Sequence, residues 1–128
     1  MRFSGQRGIQ LAILGIILLL AFFMLQVRPT AAGEVKKFTL INVVLDGTKI
    51  WLPSSLIVHE GDEVELTLIN KLTAPHGFKL EAFGIEVEVP SKRKTTIRFT
   101  ASKSGLYPFY CQLHAAHIGG QVLVVPKQ

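Results

Sequence analysis

The chain has 128 residues, with 14 Lys and Arg against 9 Asp and Glu, and it contains a single cysteine. That length holds one domain plus an appendage, and one cysteine excludes any intrachain disulfide. Arg2, Arg7 and Arg28 fall in the first 32 residues, so the remainder carries 11 basic and 9 acidic residues. This balance excludes nucleic acid as a partner, because phosphate binding needs a concentrated basic stripe.

Residues 1–27 read as a charged start followed by the apolar run 11–25. With its flanks, 8–27, the run approaches the roughly 20 residues that span a bilayer. A secretory signal peptide is the alternative, with Thr30-Ala31-Ala32 as its cleavage sequence. Arg28 and Pro29 stand between that sequence and the apolar run, which favours an uncleaved anchor. Either way the remainder is exported, and a single-pass anchor would place it on the periplasmic or outer side of the cytoplasmic membrane. Residues 28–34 form a short linker rich in Pro, Ala and Gly, and 35–128 form the folded domain.

From Phe38 onward the pattern alternates with a period of two. Val64, Leu66 and Leu68 alternate with polar residues, as do Ile85, Val87 and Val89, then Ile97 and Phe99. Turn signals divide the runs at Asp46-Gly47, Glu60-Gly61-Asp62, Pro90-Ser91-Lys92 and Ser104-Gly105. These features predict strands at 36–45, 49–51, 56–59, 63–70, 77–80, 85–89, 95–100, 106–111 and 121–125. No stretch after residue 33 keeps a helical period. Many short strands at regular spacing predict an all-β antiparallel sandwich or barrel. Lys92-Arg93-Lys94 reads as an exposed turn between two strands.

The chemistry concentrates near the C-terminus. Cys111-Gln112-Leu113-His114-Ala115-Ala116-His117 joins the only cysteine to two of the four histidines. Thiolate is a soft ligand and imidazole a borderline one, and together they favour copper over calcium, magnesium or manganese. Gly119-Gly120 lets the next strand begin at once, so the segment is a tight loop at one pole of the sandwich. His76 follows the polar loop after strand 63–70. If that strand runs toward the same pole, His76, Cys111, His114 and His117 converge as metal ligands. Strand 63–70 then separates His59 from the cluster by roughly 20 Å, at about 3.3 Å per residue. A lone thiol in an exported domain is expected to be buried, liganded or paired with another chain, and ligation fits best here. Zinc held by one cysteine and three histidines is chemically acceptable too.

These residues carry a resemblance. Val-x-x-Gly-Asp-x-Val at 58–64, a histidine after a polar loop, and Gly-x-Tyr-x-x-Tyr-Cys-x-x-His at 105–114 resemble the cupredoxins. More narrowly, Gly77-Phe78, Glu81-Ala82-Phe83-Gly84, Phe99-Thr100-Ala101 and Cys111-Gln112-Leu113-His114 resemble the nitrosocyanin-like red copper proteins. His76-Gly77-Phe78 is also similar to the copper domains of nitrous oxide reductase and cytochrome oxidase subunit II. Those domains hold two coppers between two cysteines, so one cysteine excludes such a dinuclear site within this chain. The resemblance implies a cupredoxin-like Greek-key β-sandwich holding one mononuclear copper, on His76, Cys111, His114 and His117. Two departures stand out. Nitrosocyanin-like proteins place a carboxylate where this chain has His76, and their loop is longer. Here each step from Cys111 to His114 to His117 is three residues, the spacing of compact cupredoxin loops that end in methionine. His117 occupies that methionine slot. An imidazole there stabilises Cu(II), lowers the reduction potential and draws the geometry from trigonal toward tetragonal.

The expected function is therefore one-electron transfer by a membrane-tethered mononuclear copper protein, which is more a carrier than an enzyme. His114, near the exposed pole, would pass electrons to a redox partner protein such as a cytochrome or a membrane oxidase. A second class is small-molecule chemistry at an open copper position, with nitric oxide or dioxygen as ligand. No general base stands convincingly beside the cluster, although Asp46 could reach that pole. A third class is copper delivery, or service as an accessory subunit of a membrane oxidase. The Met-rich segments common in such proteins are absent.

Overall fold

A computed structural model describes residues 35–127. The predicted anchor or signal segment, 1–27, and the linker, 28–34, lie outside the described residues. Among the described residues, no helix is long and apolar enough to cross a membrane.

Nine strands form the domain: β1 (Val35–Leu45), β2 (Thr48–Leu52), β3 (Ser55–His59), β4 (Glu63–Asn70), β5 (His76–Leu80), β6 (Ile85–Val89), β7 (Lys94–Thr100), β8 (Gly105–Phe109) and β9 (Gly120–Val125). A short 3-10 turn, Glu81–Phe83, links β5 to β6. Strand formation follows the alternation. In β4, Val64, Leu66, Leu68 and Asn70 are buried while the residues between them are more exposed, as a half-buried strand requires. Turn chemistry sets the first hairpin. Asp46 and Gly47 both have positive φ, at 47° and 77°, which fits a two-residue loop of the primed type and pairs Leu45 with Thr48.

The strands make two facing layers. One is a four-stranded sheet in the order β2-β1-β4-β7. The other begins as β3-β9-β8 and continues into the β5-β6 hairpin. That continuation runs through a bridge between Lys79 and Tyr110, whose backbones exchange hydrogen bonds of 2.8 and 3.0 Å. The sheets are mixed and not purely antiparallel, because β1 pairs β4, and β3 pairs β9, in parallel. The reason is the connectivity: β2 and β3 lie in opposite layers, so the chain changes sheets between them and again between β3 and β4.

Leu40, Trp51, Leu66, Leu68, Phe78, Phe109 and Val122 are fully or almost fully buried between the layers. Phe78 is central, with ring centroids 6.1 Å from Trp51 and 4.9 Å from Phe109. Two predicted boundaries shift at the functional end. β8 stops at Phe109 rather than running to residue 111, because Tyr110 leaves β9 to join β5. His76 opens β5 instead of standing in the loop before it. Both shifts bring His76 and Cys111 onto neighbouring chain segments.

Candidate metal centre

The Lys79–Tyr110 bridge sets β5 beside the end of β8. Cys111 emerges just past that bridge, and its buried thiol faces back toward the start of β5. Cys111 Sγ lies 3.9 Å from His76 Nδ1 and 3.6 Å from His114 Nδ1. One ligand atom from each of His76, Cys111 and His114 lies within 4.8 Å of the others. The His76 and His114 rings are 4.5 Å apart by centroid. His76 is fully buried, Cys111 is buried and His114 is half-buried, so the site is closed on the protein side and reaches solvent at His114.

The thiol accepts a 3.2 Å hydrogen bond from the Gly77 backbone N–H. The same residue is also held at its carbonyl, since the Trp51 indole donates to Gly77 O at 3.1 Å. Glycine at 77 lets the Gln112 amide approach closely. A Cβ there would stand 2.2 Å from Gln112 Oε1, whose side chain is tied across the hairpin by a 3.1 Å bond to Val87 O. Gly120 serves a similar end, because a Cβ would come within 2.3 Å of both the Phe109 ring and Ser54 O. The glycine after the loop is thus a packing requirement more than a turn signal.

Burial keeps the rings neutral. His76 is pushed down to about 4, chiefly by desolvation and then by the neighbouring His114, His117 and Lys49 charges. His117 is lowered too, by burial above all, against the opposing pull of the Ile118 carbonyl. At neutral pH both imidazoles therefore keep a lone pair, which metal binding requires. Among the described residues, none is a hydrogen-bond partner of the buried His76 Nε2. A thiol and two imidazoles that face one another, with no carboxylate in the group, form a soft and borderline donor set that fits copper.

The predicted ligands divide in their placement. His76, Cys111 and His114 come together. His117 is buried beside them, its ring centroid 5.2 Å from that of His76. Its nitrogens face protein groups: Nδ1 lies 2.9 Å from Ile118 O and Nε2 lies 2.9 Å from Asn42 Oδ1. His59 is exposed beside Asp62, outside the cluster, as is Asp46. Lys92, Arg93 and Lys94 are exposed as expected, the first two in the turn after β6 and Lys94 as the first residue of β7.

Sequence reasoning passed over Asn42, Asn70, Trp51 and Gln112. A signal existed for the two asparagines. Asn42 is in phase with buried Leu40, and Asn70 with buried Val64, Leu66 and Leu68, so each is a polar residue on an apolar face. The amide of Asn42 donates to Asn70 Oδ1 at 3.2 Å, which ties the end of β4 to the metal pole.

Comparison with known proteins agrees with this architecture. The profile of the Cupredoxin-like domain matches residues 15–124. The chain is 34% identical to the nitrous-oxide reductase of Stutzerimonas stutzeri over 122 residues, covering 82% of this chain and 19% of that protein. It is 36% identical to the copper-containing nitrite reductase of Pseudomonas chlororaphis over 89 residues, covering 57% of this chain and 24% of the other. The chain thus spans a quarter or less of the length of these relatives. Among solved structures, the copper nitrite reductase of Nitrosomonas europaea superposes with a TM-score of 0.64 at 22% identity, covering 74% of this chain and 43% of that one. A blue copper oxidase from the same organism also gives 0.64, at 20% identity, with 74% and 40% covered. These two likenesses concern the fold alone. Family profile, sheet order and the His76–Cys111–His114 cluster lead to one conclusion: the chain belongs to the cupredoxin-like domain family.

Proposed function

We propose that this protein is a membrane-tethered electron carrier with one copper, working on the extracytoplasmic side of the cytoplasmic membrane. The observation that carries the reading is Cys111 Sγ set between two imidazole Nδ1 atoms at 3.6 and 3.9 Å. Copper held by these donors supplies one-electron chemistry. Every other part of the task falls to the chain. Cys111 provides the thiolate, and His76 fixes the buried side of the site. The Gly77 N–H withdraws charge from the sulfur, a hydrogen bond of the kind that tunes the potential of such sites. His117, in the axial slot, completes the donor set.

His114 is the electron port. Around it the loop exposes Leu113, at 43%, and Ile118, at 49%, together with Ala115 and Ala116. An apolar rim about a half-buried ligand suits brief docking of a redox partner protein, a cytochrome or membrane oxidase. The segment 8–27 would tether the domain. The histidine in the axial slot is what this reading shares with the nitrosocyanin-like red copper proteins, whereas the compact loop is that of cupredoxins ending in methionine.

The decisive test is the visible and electron-paramagnetic-resonance spectrum of the copper-loaded protein, with Cys111→Ser alongside. Wild type should show an intense thiolate-to-copper charge-transfer band, and Cys111→Ser should lose it entirely, because a hydroxyl is neither soft nor ionised at neutral pH. The same band in both proteins would remove Cys111 from the site. A second reading has its own support: both His117 nitrogens face protein oxygens. If they stay there, a coordination position is open for nitric oxide or dioxygen, and reversible nitric oxide binding by the wild-type copper protein would favour that reading.

A further inference from the structure

Two asparagines lie fully buried at the end of β4 and the middle of β1, and the copper reading above gives neither a task. Their hydrogen bonds have a definite direction. Asn70 Nδ2 donates to Ala74 O at 2.8 Å, Val89 O at 3.1 Å and Pro90 O at 3.3 Å, all pure acceptors. Asn70 Oδ1 accepts the Leu72 N–H at 2.9 Å. The orientation of the Asn70 amide is therefore fixed by backbone groups that cannot exchange roles. Asn42 must then turn its NH2 toward Asn70 Oδ1, 3.2 Å away. The reverse orientation would set two amide oxygens against each other in a dry interior, where an unmet polar group is costly. With its NH2 committed, Asn42 presents Oδ1 to His117 Nε2 at 2.9 Å, an acceptor that favours a proton on Nε2.

We infer that Asn42, oriented by Asn70, is a positioning residue that holds His117 as the Nε2–H tautomer and leaves Nδ1 as the only lone pair of that ring. Nδ1 faces Ile118 O at 2.9 Å. That carbonyl is an acceptor too, so two oxygens compete for the one proton of the neutral ring. Asn42 is fully buried and would be left unmet, whereas Ile118 is 49% exposed. The proton therefore goes to Nε2, and Nδ1 keeps the lone pair that a metal ion would take. Ligating histidines commonly donate their second ring N–H to a carbonyl or carboxylate, which fixes the tautomer and raises ligand basicity. Asn42 supplies that acceptor through an amide, and Asn70 passes the constraint from the backbone of the β4–β5 loop and the end of β6 to the metal loop. The benefit to copper rests on His117 being the fourth donor, whereas the tautomer itself does not.

The test uses the full chain labelled with nitrogen-15, metal-free at neutral pH, with long-range proton–nitrogen correlation spectra that distinguish the two ring nitrogens. Wild type is expected to show His117 with its proton on Nε2. Asn42→Leu, which removes the acceptor at similar volume, should lose that preference, and Asn42→Asp, which keeps an acceptor toward the ring, should retain it. A proton on Nδ1 in wild type, protons on both nitrogens, or an unaltered tautomer in Asn42→Leu would overturn the inference. The wild-type spectrum decides the matter even if Asn42→Leu does not fold. Copper affinity then separates this inference from the reading it serves. A fall of about 10- to 100-fold in Asn42→Leu is the size expected for a lost second-shell partner. A changed tautomer with unchanged affinity would uphold the asparagine relay and remove His117 from the copper.

Discussion

The domain has two poles, each with histidine among turn residues, and they treat polar groups in opposite ways. At the pole between β3 and β4, Asp62 is buried, but its Oδ2 accepts the His59 N–H at 2.9 Å. Glu60 Oε2 accepts the Ser104 N–H at 3.1 Å, and backbone bonds join Gly61 to Ala101 and Ala101 to Asp62. Side chains there serve the backbone, so little donor capacity remains for a ligand. At the metal pole the thiol and the Nδ1 atoms of two imidazoles face chiefly each other. Lone pairs of three side chains turned on one another at a buried site point to a partner from outside that all three share. Residue type does not separate the poles, since histidine occurs at both. What separates them is whether the surrounding backbone already satisfies the side chains.

The largest effects should come from removing donors at the metal pole. His76→Ala and His114→Ala should each lower copper affinity by well over the roughly 100-fold reached by second-shell changes, measured by competition with a chelator. Retained copper with an unchanged spectrum in both variants would erase the distinction between the poles. His76→Ala should do more damage than His114→Ala, because added imidazole can reach the half-buried His114 position and restore a ligand there. Rescue of His114→Ala by exogenous imidazole, without rescue of His76→Ala, is the expected pattern.

A smaller effect is expected from the axial slot. His117→Met replaces a strong donor to Cu(II) by a weak one, so the copper protein should become bluer and its reduction potential should rise. Spectroscopy and voltammetry read both changes. An unaltered colour and potential would mean that His117 remains on Asn42 and Ile118, and the open-position reading would take its place.

Most of the fold was legible in the sequence because its signals are local. The predicted and observed bounds of β4 and β6 coincide, and the remaining strands differ by one or two residues. Val64, Leu66 and Leu68 needed only a period of two to be assigned. His76, Cys111 and His114 were legible because soft and borderline donors rarely cluster without a metal. The rest depended on tertiary contact. Nothing local reveals that Tyr110 leaves β9 for β5, or that Trp51 reaches Gly77 O from 26 residues away. The parallel pairing of β1 with β4 depends on sheet changes that turn residues do not encode. Asn42 and Asn70 broke the apolar alternation visibly, yet only the fold shows that they meet.

Acid should weaken the metal-free protein through the same pole. The folded His76 holds its proton only below about 4, whereas an unfolded histidine titrates near 6.5. Above pH 6.5 both states are neutral and stability is flat. As pH falls from 6.5 toward 4 the unfolded state takes up the proton first, so stability is lost across that window. His117, lowered in the same direction, adds to the slope. Urea unfolding midpoints of the metal-free protein should decline over this range, and His76→Gln should flatten the curve. An equal slope in His76→Gln would place the titrating group elsewhere.

The smallest effect should be that of His59→Ala, and it bounds the whole comparison. The side chain of His59 is more than half exposed, and its approach to Asp62 is a loose 3.8 Å. The bond that matters there comes from the His59 backbone N–H, which alanine keeps. Surface changes that leave backbone bonds intact usually stay within about 0.5 kcal/mol. β9 runs from Gly120, beside the metal loop, to Val125, opposite His59, and its length keeps the ring away from the copper donors. His59→Ala should therefore leave copper affinity, spectrum and potential unchanged and shift the unfolding midpoint only slightly. A copper-dependent change in this variant would mean that the far pole, although its side chains are satisfied by backbone, still influences the site.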